Sequence, residues 1–171
     1  MRETFDGSGP VWDVDNLYRL YTRVGRSYIR VDADEVTYPA HVILRYRLER
    51  ALIGGDMKLA DLPGAWNDGM EDLLGIRPPD DRLGCLQDIH WYSGYTMGAM
   101  AAAQLFAAAK EAHPDIPDGI AQGDFAPLVG WMRKNLHARA SSGSTDQLME
   151  AATGEKLGTK AFKAHLQARY G

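Results

Sequence analysis

The 171-residue sequence contains a single cysteine, no long apolar run and no excess of basic residues. Cys85 alone cannot form an internal disulfide and fits a reducing compartment, so we expect a cytoplasmic protein. The longest apolar stretch, residues 97–109, is interrupted by Gln104 and is too short to span a bilayer. The net charge of −4 provides no footprint for nucleic acid or an anionic membrane, and we expect neither partner.

The apolar residues recur mainly at helical spacing. We predict helices over about residues 14–24, 34–53, 62–74, 95–113, 118–122, 124–136, from 144 onward, and 159–169. The best strand candidate, residues 28–32, is short. The pattern predicts an all-α bundle of about seven to eight helices, in a single domain over residues 1–171 with residues 1–13 as a leader. Those first residues are acidic and lack the plan of a signal peptide.

Several residues predict where these helices begin and end. Gly54-Gly55 and Gly75 are typical stop signals, and Pro39 is expected to kink the second helix or delay its start. Asp124 is a good N-cap, and Ser144-x-x-Gln147 has the form of a capping box.

Two segments carry charged and aromatic residues in an order that amphipathic patterning does not require: Ile29-Arg30-Val31-Asp32-Ala33-Asp34-Glu35 and Gly84-Cys85-Leu86-Gln87-Asp88-Ile89-His90-Trp91. Together they resemble two signatures of the carboxypeptidase Taq family of zinc metallocarboxypeptidases, Ile-Arg-x-x-Ala-Asp and Gly-x-x-Gln-Asp-x-His-Trp. The resemblance extends through residues 35–46, 61–66, 95–100 and 152–155. It implies the fold of the C-terminal lobe of a neurolysin-like zinc peptidase, and metal-dependent removal of C-terminal amino acids from peptides.

The zinc-binding part of that family has no counterpart in this sequence. The family carries a His-Glu-x-x-His helix, followed by a His-Glu-Ser/Gly-Gln segment with the third ligand, and neither motif occurs in these 171 residues. We therefore expect no metal or other cofactor in this chain, and a truncated homologue that is inactive alone. Peptide would be a substrate only if a catalytic half were supplied.

Two other functions remain open. One is a non-catalytic binding or assembly module, acting as a homodimer or with a separate catalytic half. Its candidate surfaces are the face of the first helix that carries Leu17, Tyr18 and Tyr21, and the alanine-rich residues 95–109. The other is a relict enzyme that holds a divalent metal with His90, Asp88, His41 and acidic neighbours.

The candidate substrate-binding residues are Arg30, Asp88, His90 and Tyr95. Arg30 lies in an apolar stretch beside Asp32 and Asp34, so it can form a structural ion pair at the start of the second helix. The family resemblance instead places it near the substrate cleft, where a guanidinium fork suits a peptide C-terminal carboxylate.

The other three candidates also have structural alternatives. Asp88 and His90 can act in proton transfer or hydrogen-bond to each other, while Trp91 packs in the core. Tyr95 aligns with a tyrosine that follows a longer aromatic loop in the family, and this loop is shortened here.

Overall fold

The computed structural model describes residues 3–5, 7–79 and 93–171, and these residues form eight α-helices and no strand. The helices are α1 (Val14–Tyr21), α2 (Tyr38–Gly54), α3 (Leu62–Leu74), α4 (Ser93–Ala112), α5 (Ile116–Ala121), α6 (Ala126–Asn135), α7 (Thr145–Thr153) and α8 (Lys160–Tyr170). The prediction of an all-α fold with seven to eight helices is confirmed. None of the described helices is long and apolar enough to cross a membrane.

The chain divides into two compact units, and each has its own hydrophobic core. The first comprises Met1–Ser93 together with Arg169–Gly171, and the second comprises Gly94–Ala168. The organisation as one domain over residues 1–171 stays a prediction.

The core of the first unit is formed by the packing of α2 against α3. Apolar residues every fourth position on α3 face Leu44 and Leu48 of α2, and the α3 residues are Leu62, Trp66, Met70 and Leu74. Gly69 allows the two helices to approach closely, because a Cβ atom at this position would overlap the Leu44 side chain. This packing gives α2 a fixed position, and α2 carries several of the polar residues described below.

The predicted ends of α2 and α3 are confirmed. Gly55 and Gly75 follow the two helices with φ angles of 78° and 65°, a left-handed conformation that glycine adopts without steric cost. Helix α2 begins at Tyr38 rather than near Asp34, with Pro39 in its first turn. Pro39 thus marks a delayed start, since proline is tolerated in the first turn of a helix.

Residues 28–32, the best strand candidate in the sequence, do not form a strand, in agreement with the predicted all-α fold. Arg30–Asp32 form a 3-10 turn, in which the Asp32 N–H donates to the Ile29 carbonyl at 3.2 Å. The Ala33 N–H similarly donates to the Arg30 carbonyl at 3.1 Å. A strand would need a neighbouring strand for these donors, and none occurs among the described residues.

The second unit has a core contributed by α4, α5, α6 and α7, with Leu105, Ala109, Ile116, Trp131 and Met149 at its centre. The Gln104 side chain links α4 to the segment after α7. Its Nε2 donates to Thr153 Oγ1 at 2.9 Å and its Oε1 accepts from the Gly158 N–H at 3.2 Å. The predicted capping box at Ser144 and Gln147 is confirmed, with reciprocal hydrogen bonds of 2.9 and 3.3 Å.

The start of α6 was predicted less accurately from the sequence. The helix begins at Ala126, whose N–H donates to Asp124 Oδ1 at 2.9 Å, so Asp124 caps the helix from one residue further out than expected. Phe125 and Val129 are exposed, and Trp131 is the buried residue of this helix.

Candidate functional site

Arg30 lies in the 3-10 turn before α2 and is held by Tyr38, the first residue of that helix. Arg30 Nη1 donates to the Tyr38 hydroxyl at 3.0 Å, and the guanidinium carbon lies 5.8 Å from the centre of the Tyr38 ring. The two contacts orient a half-buried guanidinium at the N-terminal end of α2. Sequence reasoning singled out Arg30 but missed Tyr38. The predicted bond between Arg30 and a carboxylate stays a prediction.

Asp34 organises the segment between this turn and α2. Its Oδ1 accepts from the Val36 and Thr37 N–H groups at 2.9 and 3.0 Å. Its Oδ2 accepts from the Gly25 N–H and from the Thr37 hydroxyl. Burial raises the pKa of Asp34, but these hydrogen bonds outweigh it and hold the pKa below its usual value. Asp34 is therefore ionised at neutral pH and engaged with the backbone.

His41 is fully buried one turn into α2, at 0% exposure. Neither ring nitrogen has a hydrogen-bond partner among the described residues. Burial lowers the pKa of His41 to about 4, and the nearby positive charges of Arg45 and Arg30 act in the same direction. The Ser27 backbone and the Asp34 carboxylate oppose this shift without cancelling it. The imidazole is therefore neutral at pH 7.

Arg45 is a buried arginine, at 2% exposure, that sequence reasoning missed. Its guanidinium carbon lies 4.7 Å from the centre of the Trp66 ring, so the cation packs on this aromatic ring of α3. Its Nη1 also donates to the His41 carbonyl at 3.0 Å. The signal that drew attention to Arg30, an arginine within an apolar stretch, was also present at Ile43-Leu44-Arg45.

The described residues do not fit a zinc site. They contain no group of three His, Cys, Asp or Glu side chains that could hold a metal ion, whereas zinc sites use at least three protein ligands. The two arginines that depress the His41 pKa would also disfavour a divalent cation beside that ring. Of the three residues named in the relict-metal hypothesis, His41 is described, and Asp88 and His90 lie outside the described residues.

Two of the four predicted substrate-binding residues are placed by the structure. Arg30 belongs to the first unit and Tyr95 to the second, where it lies in the first turn of α4 with its side chain 65% exposed. Asp88 and His90, with Cys85 and the rest of the segment 84–91, lie outside the described residues. The substrate-binding role of all four therefore stays a prediction.

The chain is similar to known carboxypeptidases along nearly its whole length. It is 37% identical over 163 residues to thermostable carboxypeptidase 1 of Pyrococcus furiosus, a match that covers 91% of this chain and 33% of the relative. It is 35% identical over 164 residues to carboxypeptidase 1 of Bacillus subtilis, with 92% and 33% covered. The chain thus spans about a third of the length of these relatives.

Solved structures show the same relation. The M32 carboxypeptidase from Deinococcus radiodurans R1 superposes with a TM-score of 0.92 at 39% identity, over 99% of this chain and 36% of that chain. Metallocarboxypeptidase 1 of Trypanosoma cruzi gives a TM-score of 0.89 at 36% identity. Residues 1–170 match the family model described as "Carboxypeptidase Taq (M32) metallopeptidase". The chain therefore belongs to the carboxypeptidase Taq (M32) metallopeptidase family.

Proposed function

We propose that this chain is a truncated metallocarboxypeptidase homologue that contributes a site for the C-terminal carboxylate of a peptide and is inactive in hydrolysis alone. The observation that carries the proposal is the guanidinium of Arg30, held by the Tyr38 hydroxyl and ring within the Ile-Arg-x-x-Ala-Asp segment. A carboxypeptidase must distinguish a chain end from an internal peptide bond, and the free carboxylate is the group that differs.

The charges around Arg30 support an anion rather than a cation as ligand. Arg30 and Arg45 both lie close enough to His41 to lower its pKa, against the opposing effect of the Asp34 carboxylate, so two cations border this part of α2. A guanidinium fork matches the two oxygens of a carboxylate and is already oriented by Tyr38, so less side-chain entropy is lost on binding. These features favour recognition of a peptide end.

Under this proposal the chain binds a peptide end but does not catalyse its hydrolysis. A metallopeptidase holds its metal with at least three protein ligands and uses it to activate water and polarise the scissile carbonyl. The sequence has no His-Glu-x-x-His motif, and the described residues have no metal-ligand cluster. The metal-bearing portion of the fold would therefore be needed for turnover. We also propose a cytoplasmic location, which fits the single cysteine.

Binding and turnover can be tested separately on the purified chain. We expect an N-blocked dipeptide with a free C-terminus to bind in a calorimetric titration, and its C-terminal amide to bind at least about tenfold more weakly, since charge-assisted bonds are worth about 1.5–3 kcal/mol. Arg30→Gln should abolish this preference, whereas Arg50→Gln, at an exposed position on α2, should keep it. Equal binding of acid and amide by the wild-type chain would contradict carboxylate recognition.

The same preparation should release no C-terminal amino acid from peptides, with or without added zinc or cobalt. Release that depends on added metal and is lost in His90→Ala would show that the chain is a relict enzyme instead.

A further inference from the structure

The second unit contains a cavity of about 290 Å³, lined by one face of α4 and by the segment that runs from the end of α7 into α8. The α4 residues recur at the i, i+3, i+4 and i+7 spacing of one helix face, and they are Gln104, Ala107, Ala108 and Glu111. All the lining residues belong to this unit. The volume lies near the lower end of the ~300–1,000 Å³ range of small-molecule sites, so the cavity suits a small ligand.

Gln104 fixes one wall of this cavity to α4. Its side chain is buried, and its Oε1 accepts from the Gly158 N–H at 3.2 Å. Its Nε2 lies 2.9 Å from Thr153 Oγ1, and 3.0 and 3.1 Å from the Glu155 and Lys156 carbonyl oxygens. These bonds hold the segment after α7 in place, so a ligand meets a wall that is already ordered.

The wall around Gln104 has fewer hydrogen-bond donors than acceptors. The amide carries two hydrogens at Nε2, but three acceptors lie within 3.1 Å of that nitrogen. The single hydroxyl hydrogen of Thr153 in turn has two carbonyls within reach, those of Met149 at 2.8 Å and Glu155 at 3.0 Å. Thr153 and Glu155 both line the cavity. A ligand that brings N–H donors would therefore complement this wall.

The other end of the α4 face carries a carboxylate. Glu111 lies two helical turns beyond Gln104, or roughly 10 Å along the axis at about 1.5 Å per residue. It forms no ion pair with another described residue. The remaining ionisable residues of the lining, Glu155 and Lys160, lie 4.0 Å apart as an exposed pair. The lining thus has one carboxylate more than it has ammonium groups, which favours a cation as ligand.

Between these two ends the lining is apolar and has no long side chain. Ala107 and Ala108 lie between them on α4, and Ala161 and Ala164 line the cavity from α8. Alanine leaves room for an alkyl chain, and burial of such a chain is favourable in proportion to the apolar area removed from water. The cavity therefore has two ends that favour hydrogen-bond donors, with an apolar stretch between them.

We infer that this cavity binds a linear α,ω-diaminoalkane with both amino groups protonated. One ammonium group donates to the Glu111 carboxylate and the other to the wall around Gln104, since an ammonium has three donors and no acceptor. The alkyl chain lies along the alanines. A chain of about five carbons, with a hydrogen bond of ~2.9 Å at each end, suits the separation of the two ends. The site uses none of the residues of the proposed function, so either proposal can fail without the other.

The purified chain can be titrated with 1,5-diaminopentane at pH 7 and constant ionic strength. We expect saturable binding with a dissociation constant on the order of 1 mM or tighter, which is within reach of so small a ligand. Pentylamine keeps the alkyl chain and one ammonium group, and it should bind about tenfold more weakly because one charge-assisted contact is lost. Amide chemical shifts should move in residues 104–111 and 153–164 and stay unchanged in the first unit.

Two pairs of variants test the assigned residues. Glu111→Gln should weaken binding of the diamine to the level of pentylamine, whereas Glu150→Gln, at an exposed position on α7, should leave it unchanged. Ala164→Leu should abolish binding because the larger side chain fills the cavity, whereas Ala151→Leu, also exposed on α7, should not. Circular dichroism of each variant establishes that the helical content is preserved.

Three results would overturn the site. The first is the absence of saturable diamine binding to the wild-type chain. The second is equal binding of 1,5-diaminopentane and pentylamine, which would leave one end of the cavity without a role. The third is a Glu111→Gln chain that binds the diamine as tightly as the Glu150→Gln chain does. Arg30→Gln should bind the diamine as the wild-type chain does, which keeps this test separate from that of the proposed function.

Discussion

His41 and Arg45 lie one helical turn apart on α2 and are both buried, yet one is neutral at pH 7 and the other is charged. Arg45 keeps its charge because it packs on Trp66 and donates to the His41 carbonyl, and because a guanidinium does not deprotonate in proteins. For His41, the Ser27 backbone and the Asp34 carboxylate favour the protonated form too weakly to offset burial and the two nearby arginines, so the ring loses its proton. The chemistry of each residue follows from what touches it.

At this scale, His41 is expected to make the protein sensitive to mild acid. The folded-state pKa of about 4 lies below the ordinary value of 6.5, so between these pH values the unfolded chain binds a proton that the folded chain does not. The free energy of unfolding therefore falls as the pH drops from 6.5 to 4, by at most about 3.5 kcal/mol at about 1.4 kcal/mol for each pH unit. Denaturant titrations at pH 7 and 4.5 measure this loss.

The controls for this prediction are two histidine substitutions. His41→Gln should reduce the difference between the two pH values, because the titrating group is removed. His113→Gln, at an exposed position beyond α4, should leave the difference unchanged. If both variants retained the full acid sensitivity, His41 would not be its source.

At the scale of the elements, the contact between α2 and α3 depends on the absence of a side chain. A Cβ at Gly69 would overlap the Leu44 side chain, whereas a Cβ at Gly64, on the same helix, would meet nothing within 4 Å. The two glycines therefore have opposite roles in α3. Gly69 permits close packing, and Gly64 only lowers helix propensity.

Gly69→Ala should destabilise the protein by about 1–3 kcal/mol, the usual cost of overpacking a closely packed core. Gly64→Ala should be neutral or stabilise it by up to about 1 kcal/mol, because alanine is the better helix former. Thermal unfolding of the two variants beside the wild-type chain measures both effects. A Gly69→Ala protein as stable as the Gly64→Ala protein would contradict the close approach of α2 to α3.

At the scale of the whole molecule, the helices differ in how firmly they are anchored. Helix α5 is even shorter than α1, with six residues against eight, but it places Ile116 in the core of the second unit at 1% exposure. Helix α1 has no such anchor. Local opening of a helix costs little free energy when few apolar contacts are lost, so anchoring rather than length should decide its stability.

Hydrogen exchange can separate anchoring from length. Amides of α1 should exchange much faster than the core amides of α3 and α4, and faster than those of α5 despite its shorter length. Exchange in α5 as fast as in α1 would show that length governs both helices.

The sequence alone was sufficient for the family, the all-α class and most helix ends. Local chemistry determines these features: Gly55 and Gly75 end α2 and α3 because they adopt positive φ angles, and Ser144 with Gln147 caps α7 through bonds three residues apart. The motif around Arg30 identified the family because helix periodicity does not require charged residues in this order. Each of these signals lies within a few residues of the feature it predicts.

The tertiary structure decided which partners the polar residues have and which apolar faces are covered. Tyr38 binds Arg30 at the start of α2, and Trp66 packs on Arg45 from another helix. Neither pairing can be predicted from local sequence spacing. Trp131 rather than Val129 is buried on α6, and Val14, Tyr18 and Tyr21 of α1 are exposed although their helical spacing is that of a buried face. Periodicity shows that a helix has an apolar face, whereas burial depends on what packs against that face, and this is set by residues distant in the chain or by a partner.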